Sequence, residues 1–390
     1  MATEHHKRPR IALIMTGGGA RAAYQVGVLR ALSELVPPGA PSPFRIICGS
    51  SAGAINAAVL ASHAGNFRRG VRRLMTVWKN FHAHQVYRAD ALGAYANSAR
   101  WVWAALTGGS SGDAPVSLLD NAPLGQLLRR DLDLGGIADG VAQGHLDAFS
   151  VTCSGYASGQ SVTFYQGASM LAGWNRVRRV GVAMPITVDH LLASSALPFI
   201  FPPVRINSEY FGDGSMRQIA PVSPALHLGA DRVMVIGVGR QLQPEEVRDA
   251  EPSSPSLAQI AGHALHSIFL DGLEVDLERL QRINRTLELV PDAVLAKSGY
   301  PLRRVECHVM RPGVGLDAIA AAHAHELPSA IRVLLHTVGA MKHGGGNLLS
   351  YLLFEKGYCR ALIRLGYTDT MTRRDEVLGF LGREKTMEVA

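Results

Sequence analysis

With 390 residues, the chain has room for one large domain with an extension, and 47% apolar against 18% charged residues excludes a disordered chain. No apolar run reaches the ~18 residues of a spanning helix, and the Ile11 to Met15 run is too short for a secretory signal core, so a cytosolic protein is expected. The net charge of +7 is moderate and scattered, with small knots at Arg68–Arg73 and Arg176–Arg179; it permits peripheral contact with an anionic membrane and gives no signature of nucleic-acid binding.

In chain order, Ile11 to Met15 reads as a buried strand that runs into Gly17-Gly18-Gly19-Ala20-Arg21. Val26, Leu29, Leu32 and Leu35 then follow helical spacing up to Pro37-Pro38-Gly39. A second strand, Phe44 to Cys48, enters Gly49-Ser50-Ser51-Ala52-Gly53, and a further helix follows through Ala57, Leu60 and Ala61. Strand, glycine turn and helix, twice in succession, predict a parallel α/β sheet. Phe149 to Thr163 predicts a hairpin with its turn near Gly155 to Gly159, and Asp189 to Ser195 a short helix. Phe199 to Val204 contains Pro202-Pro203, so a loop or edge is expected there. Arg232 to Val238 reads as a buried strand, Ile260 to Val290 carries apolar residues at helical spacing, Arg303 to Met310 suggests one more strand, and Leu348 to Leu365 a helix. Four cysteines at 48, 153, 307 and 359 form no C-x-x-C pair, which suits reduced thiols.

Three short motifs carry chemistry. Gly49-Ser50-Ser51-Ala52-Gly53 has the G-x-S-x-G form of a nucleophile elbow, in which a sharp turn projects the serine above the sheet. Gly49 and Gly53 let the strand and helix backbones pass closely, and Ala52 opens a helix whose N-terminal amides face the reacting atom. Consecutive glycine amides at Gly17, Gly18 and Gly19 can converge on one anionic oxygen, with Arg21 either adding a fixed charge or bracing the loop. The spacing is neither G-x-G-x-x-G nor a P-loop, so nucleotide phosphate is not indicated. Asp213-Gly214, with Gly212 before it, leaves a carboxylate unshielded on a turn, where it can serve a serine as base. Taken singly, the elbow and the D-G pair are also common packing and turn patterns.

Their order is more specific. Glycine loop, elbow, Ala193-Ser194-Ser195-Ala196-Leu197-Pro198 and Asp213-Gly214 resemble the blocks G-G-G-x-R, G-x-S-x-G, A-S-x-A-x-P and D-G-G or D-G-A of the patatin-like phospholipases. Ser215 departs from the last of these. The resemblance implies a patatin-like three-layer α/β/α fold with a mostly parallel central sheet over residues 10–240. Residues 241–390 are expected to be a largely helical C-terminal extension with one added strand, packed on the same domain. It further implies hydrolysis of phospholipids, lysophospholipids or simpler acyl esters, with Ser51 as nucleophile, Asp213 as base, Gly17, Gly18 and Gly19 in the oxyanion hole, and Gly49, Ala52, Gly53, Gly214 and Arg21 in support. No cofactor and no metal are expected.

Two rival readings are kept. A Ser-His-Asp triad would recruit His190 or His227, although the family blocks leave histidine no fixed place. A non-catalytic lipid- or partner-binding protein on the same fold would not need an intact Ser51, Asp213 and glycine loop. Trp78, Phe81, Trp101 and Trp103 suit either a lid or membrane patch or aromatic packing, and Phe199-Ile200-Phe201 either walls an acyl channel or packs.

Overall fold

The computed structural model describes residues 9–88, 117–239, 257–268, 272–297, 302–337 and 346–383. Trp101 and Trp103 lie outside the described residues. Ten strands form one sheet: β1 (Ile11–Met15), β2 (Ile46–Ser50), β3 (Ala148–Gly155), β4 (Ser161–Gly167), β5 (Trp174–Arg176), β6 (Arg179–Ala183), β7 (Val204–Ile206), β8 (Glu209–Asp213), β9 (Arg232–Ile236) and β10 (Glu306–Met310). The order is β10-β9-β1-β2-β3-β4-β6-β5. The first four pairings are parallel, and β3–β4 is the antiparallel hairpin expected from the sequence.

Strand β1 is buried on both faces, which explains its unbroken apolar run. Ile11, Leu13 and Met15 enter the larger core, and Ala12 and Ile14 the smaller one on the opposite face. Helices α1 (Ala23–Leu35), α2 (Ala52–Ala61), α3 (Phe67–Trp78), α4 (Ala122–Asp131), α5 (Gly135–Ala142) and α6 (Val188–Ser194) feed the larger core. Helix α7 (Ser223–His227) packs beneath β1 and β2 in the smaller core. Further along come α8 (Leu257–His266), α9 (Gly272–Glu288), α10 (Asp292–Lys297), α11 (Leu316–Ala322), α12 (Ser329–Thr337), α13 (Gly346–Leu352), α14 (Lys356–Thr372) and α15 (Arg374–Phe380). Of these, α9 completes the smaller core, while α11 to α15 join the larger one. The fold is thus a mostly parallel sheet between helical layers, with a helical C-terminal region, as the resemblance implied.

One expected helix is divided. Within the Ile260 to Val290 stretch lie α8, to His266, and α9, from Gly272 to Glu288; residues 269–271, Phe269 of that spacing among them, lie outside the described residues. The run from Leu348 to Leu365 breaks at Leu353 to Glu355. There Glu355 adopts an extended conformation, and its carboxylate accepts from the Ala83 amide at 3.1 Å and pairs with His82 at 2.8 Å. Periodicity alone does not register this tertiary contact. The short hairpins β5–β6 and β7–β8 have no strong alternation, and the sequence reading did not find them. The four cysteines are free thiols; burial pushes Cys48 up to about 12. No described helix is long and apolar enough to cross a membrane.

Candidate active site

The elbow is built by backbone crowding. Ser51 follows β2 with φ 53° and ψ −135°, a left-handed conformation that costs a non-glycine residue free energy. A Cβ at Gly49 would strike the backbone of Ala54, and one at Gly53 the carbonyl oxygens of Met15 and Thr16. Side chains are therefore barred two residues on either side of Ser51. The strained turn is held by Ser194, which the sequence reading quoted within a motif without assigning it a task. Its hydroxyl accepts from the Ser51 amide at 2.9 Å and donates to the Thr152 carbonyl at 2.6 Å. Ser194 is fully buried, so this bridge cannot be replaced by bulk water.

Register brings Asp213 to the same place. Ser50 pairs with Thr152, the last rung of β2 on β3. The next rung on β3 is Cys153, and its partner is Asp213 of β8. Strand β4 occupies the other side of β3 past this point, so β8 takes over the lane that β2 vacates at the elbow. Asp213 thus occupies the rung that Ser51 would have filled had the strand continued. Its backbone is pinned on both sides: its amide donates to the Ala196 carbonyl at 2.9 Å, and its carbonyl accepts from Ser154 Oγ at 2.8 Å. Gly214 is required, because a Cβ there would overlap the Thr152 carbonyl. Ser215, the departure from the family pattern, donates its amide to Asp213 Oδ1 at 2.9 Å and its hydroxyl to Ser50 Oγ at 3.4 Å, so it links the two turns.

Asp213 is completely buried. Loss of solvation raises its pKa from 3.8 to about 6, opposed by hydrogen bonding from Ser51 and Ser215. Oδ2 lies buried without a hydrogen bond of regular geometry among the described residues, which suits an acceptor awaiting a proton.

In the glycine loop, Gly18 and Gly19 have φ of 159° and 55°. Among the described residues, neither amide donates to a backbone carbonyl. Gly19 lines the cavity beside Ser51 and Ala52, and a side chain on it would collide with the Tyr351 carbonyl. Arg21 is a brace: buried, it donates from Nε to Ser350 Oγ at 2.7 Å and lies 4.2 Å over the Tyr351 ring. A buried polar chain supports the loop from behind. Gln25 Nε2 donates to the Thr16 carbonyl at 2.8 Å, Asn56 Nδ2 to Gln25 Oε1 at 3.0 Å, and Trp78 Nε1 to Asn56 Oδ1 at 2.8 Å.

Neither candidate histidine joins this group. His190 Nδ1 bonds with Thr187 at the start of α6, its ring packs edge-on against Phe164, and burial lowers its pKa. His227 lies in the other helical layer, stacked on Trp174, and burial with nearby arginines pushes it down to about 4.

From Ser51 a narrow apolar cavity runs between α2, α3 and α4. Trp78 and Phe81 are buried in its wall, as is Phe201; Phe199 is instead 72% exposed. Tyr351, Leu352 and Phe354 close another side, and no sequence motif pointed to them.

The patatin-like phospholipase family model matches residues 13–226, more than half of the chain. The chain belongs to the patatin-like phospholipase family. No curated protein matches it in sequence. Among solved structures, it is similar to VipD from Legionella pneumophila at 12% identity and a TM-score of 0.37, covering 96% of this chain and 72% of that one. ExoU from the type III secretion system of Pseudomonas aeruginosa, solved in complex with SpcU, gives 14% identity and a TM-score of 0.26, covering 96% and 80%. A further ExoU structure gives 16% identity and a TM-score of 0.27, covering 96% and 80%.

Proposed function

We propose that the protein hydrolyses carboxylic esters of fatty acids, as a lipid acyl hydrolase working through Ser51 and Asp213. The observation that carries this reading is the shared lane on β3, which sets a buried carboxylate one rung on from a strained serine that lines an apolar cavity. In the first step Ser51 Oγ attacks the ester carbonyl carbon and its proton passes to Asp213. Amides of the Gly17, Gly18 and Gly19 loop hold the tetrahedral oxyanion, aided by the N-terminal end of α2. The C–O bond breaks, and the alcohol leaves with the proton from Asp213. Water then attacks the acyl-serine, Asp213 accepts its proton, and the fatty acid is released as Ser51 recovers its own. A base near pH 6 is matched to this task at neutrality. The positions of His190 and His227 favour the two-residue arrangement over a triad.

The test compares wild-type protein with Ser51→Ala for p-nitrophenyl butyrate hydrolysis and for covalent labelling by an alkyl fluorophosphonate. Wild type is expected to turn over the ester and to take one label on Ser51. The variant should do neither while keeping its circular dichroism spectrum. Hydrolysis by the variant at the wild-type rate removes Ser51 from the reaction; an inert wild type favours a binding protein.

A further inference from the structure

The apolar cavity has a far end. Its lining on α2 runs from Ser51 through Ala52 and Ile55 to Val59, and on α4 from Leu124 through Leu128 to Asp131. At a rise of ~1.5 Å per residue, eight residues of α2 span ~12 Å and seven of α4 ~10 Å. The two lining stretches thus agree in length to within ~2 Å. At that depth the lining changes character. Arg73 of α3 reaches across to α4, its guanidinium 3.4 Å from Asp131 Oδ1 and 3.3 Å from the Asp131 carbonyl. Asp131 also takes a hydrogen bond from the exposed Arg130, which holds its carboxyl below the usual range. An apolar chain growing along this cavity ends at a partly solvent-exposed ion pair joining two helices, and passing it would carry its carbons out into water.

We propose that this cavity accepts a single acyl chain of medium length and that the Arg73–Asp131 pair is the stop that sets the length. The proposal rests on the acyl-hydrolase reading above. A chain of C–C bonds of ~1.5 Å at ~111° advances ~1.25 Å per carbon, so ~12 Å holds about nine or ten carbons beyond the ester carbonyl. The substrate class is therefore esters of decanoyl length, with palmitoyl chains too long to seat fully.

Two measurements test this. In the first, kcat/KM is followed across straight-chain p-nitrophenyl esters from acetate to palmitate. Each methylene buried is expected to raise it about fourfold, the equivalent of ~0.8 kcal/mol, until decanoate. It should then fall at least tenfold by palmitate. Arg73→Ala and Asp131→Ala each remove the stop and should raise the palmitate-to-octanoate ratio tenfold or more. Val59→Phe fills the far end of the channel and should move the optimum to an ester a few carbons shorter. Two stop variants on different helices guard against one of them failing to fold. The second measurement needs no catalysis: displacement of a fluorescent fatty acid from Ser51→Ala protein by decanoate and by palmitate, with decanoate expected to bind more tightly. An ester profile that keeps rising to palmitate, or a ratio unmoved by both stop variants, overturns the stop. A wild type that hydrolyses no ester while Ser51→Ala still prefers decanoate upholds the channel and fails the acyl-hydrolase reading instead.

Discussion

Replacing Asp213 by asparagine should make the protein more stable at neutral pH while abolishing ester hydrolysis. The carboxylate is fully buried, and its pKa rises from 3.8 to about 6 mainly through lost solvation. That is about 2 pH units at ~1.36 kcal/mol each, so carrying the buried charge at pH 7 costs ~3 kcal/mol of folding stability. Because the folded state holds the proton more tightly than the unfolded chain, stability is greatest below pH ~4. It falls as pH rises through 6 and is flat above. The Asp213→Asn side chain carries no charge and has no such slope. Its Oδ1 keeps the Ser215 amide, and its NH2 takes the place of Oδ2, which has no regular partner to lose. Part of the gain is offset if that NH2 finds only a weak acceptor, so a net gain of about 1–3 kcal/mol at pH 7 is expected. Urea unfolding of both proteins at pH 7, 5.5 and 4.5, at fixed ionic strength, reads the difference, which should shrink towards zero at the acid end. The kinetic side of the same argument places the midpoint of the acid limb of wild-type kcat/KM near pH 6, with a plateau above. In the variant, turnover should fall by roughly 10²–10⁴-fold or more, as for loss of a general base. An Asp213→Asn protein less stable than wild type at pH 7, or a difference that does not change with pH, would refute the reasoning.

Two other substitutions probe the support of the same atoms. Ser194→Ala leaves the Ser51 amide and Thr152 carbonyl buried without their shared partner, so it should cost ~2 kcal/mol of stability and lower kcat with little change in KM, measured by urea unfolding and ester kinetics. Gly19→Ala meets both a positive φ and the Tyr351 carbonyl, and should lower turnover by roughly 10²-fold and destabilise the fold; turnover and stability both at wild-type values would remove this loop from the oxyanion site.

What the sequence made legible was local. Ile11 to Met15, the elbow, the hairpin from Phe149 and the short helix before Pro198 each carry their signal within a dozen residues: an apolar run, a glycine pair or a turn. Asp213 was found only because glycines flank it and three other motifs precede it. Its closeness to Ser51 depends on which rung of β3 each strand takes, and pairing across 60 and 100 residues leaves no local trace. Ser194 was visible as a motif letter, but its task is a hydrogen bond to a residue 143 positions away. The divided helix failed for the same reason, since apolar spacing continues through Glu355 although that carboxylate is held by the Ala83 amide and His82.

The family match ends at residue 226, yet the site does not. Strand β10 adds to the sheet beside β9, and α14 lies along α1, where Tyr24 Oη donates to Asp369 at 3.1 Å. That docking delivers α13 to the glycine loop. Ser350 then receives Arg21, the Tyr351 ring takes its guanidinium face, and the Tyr351 carbonyl leaves room beside Gly19 for nothing larger than hydrogen. Leu352 and Phe354 continue into the cavity wall. The arginine of G-G-G-x-R is therefore taken up by this later segment. It fastens the loop to a segment more than 300 residues later in the chain, and the shape of the glycine loop is set as much by that segment as by its own glycines.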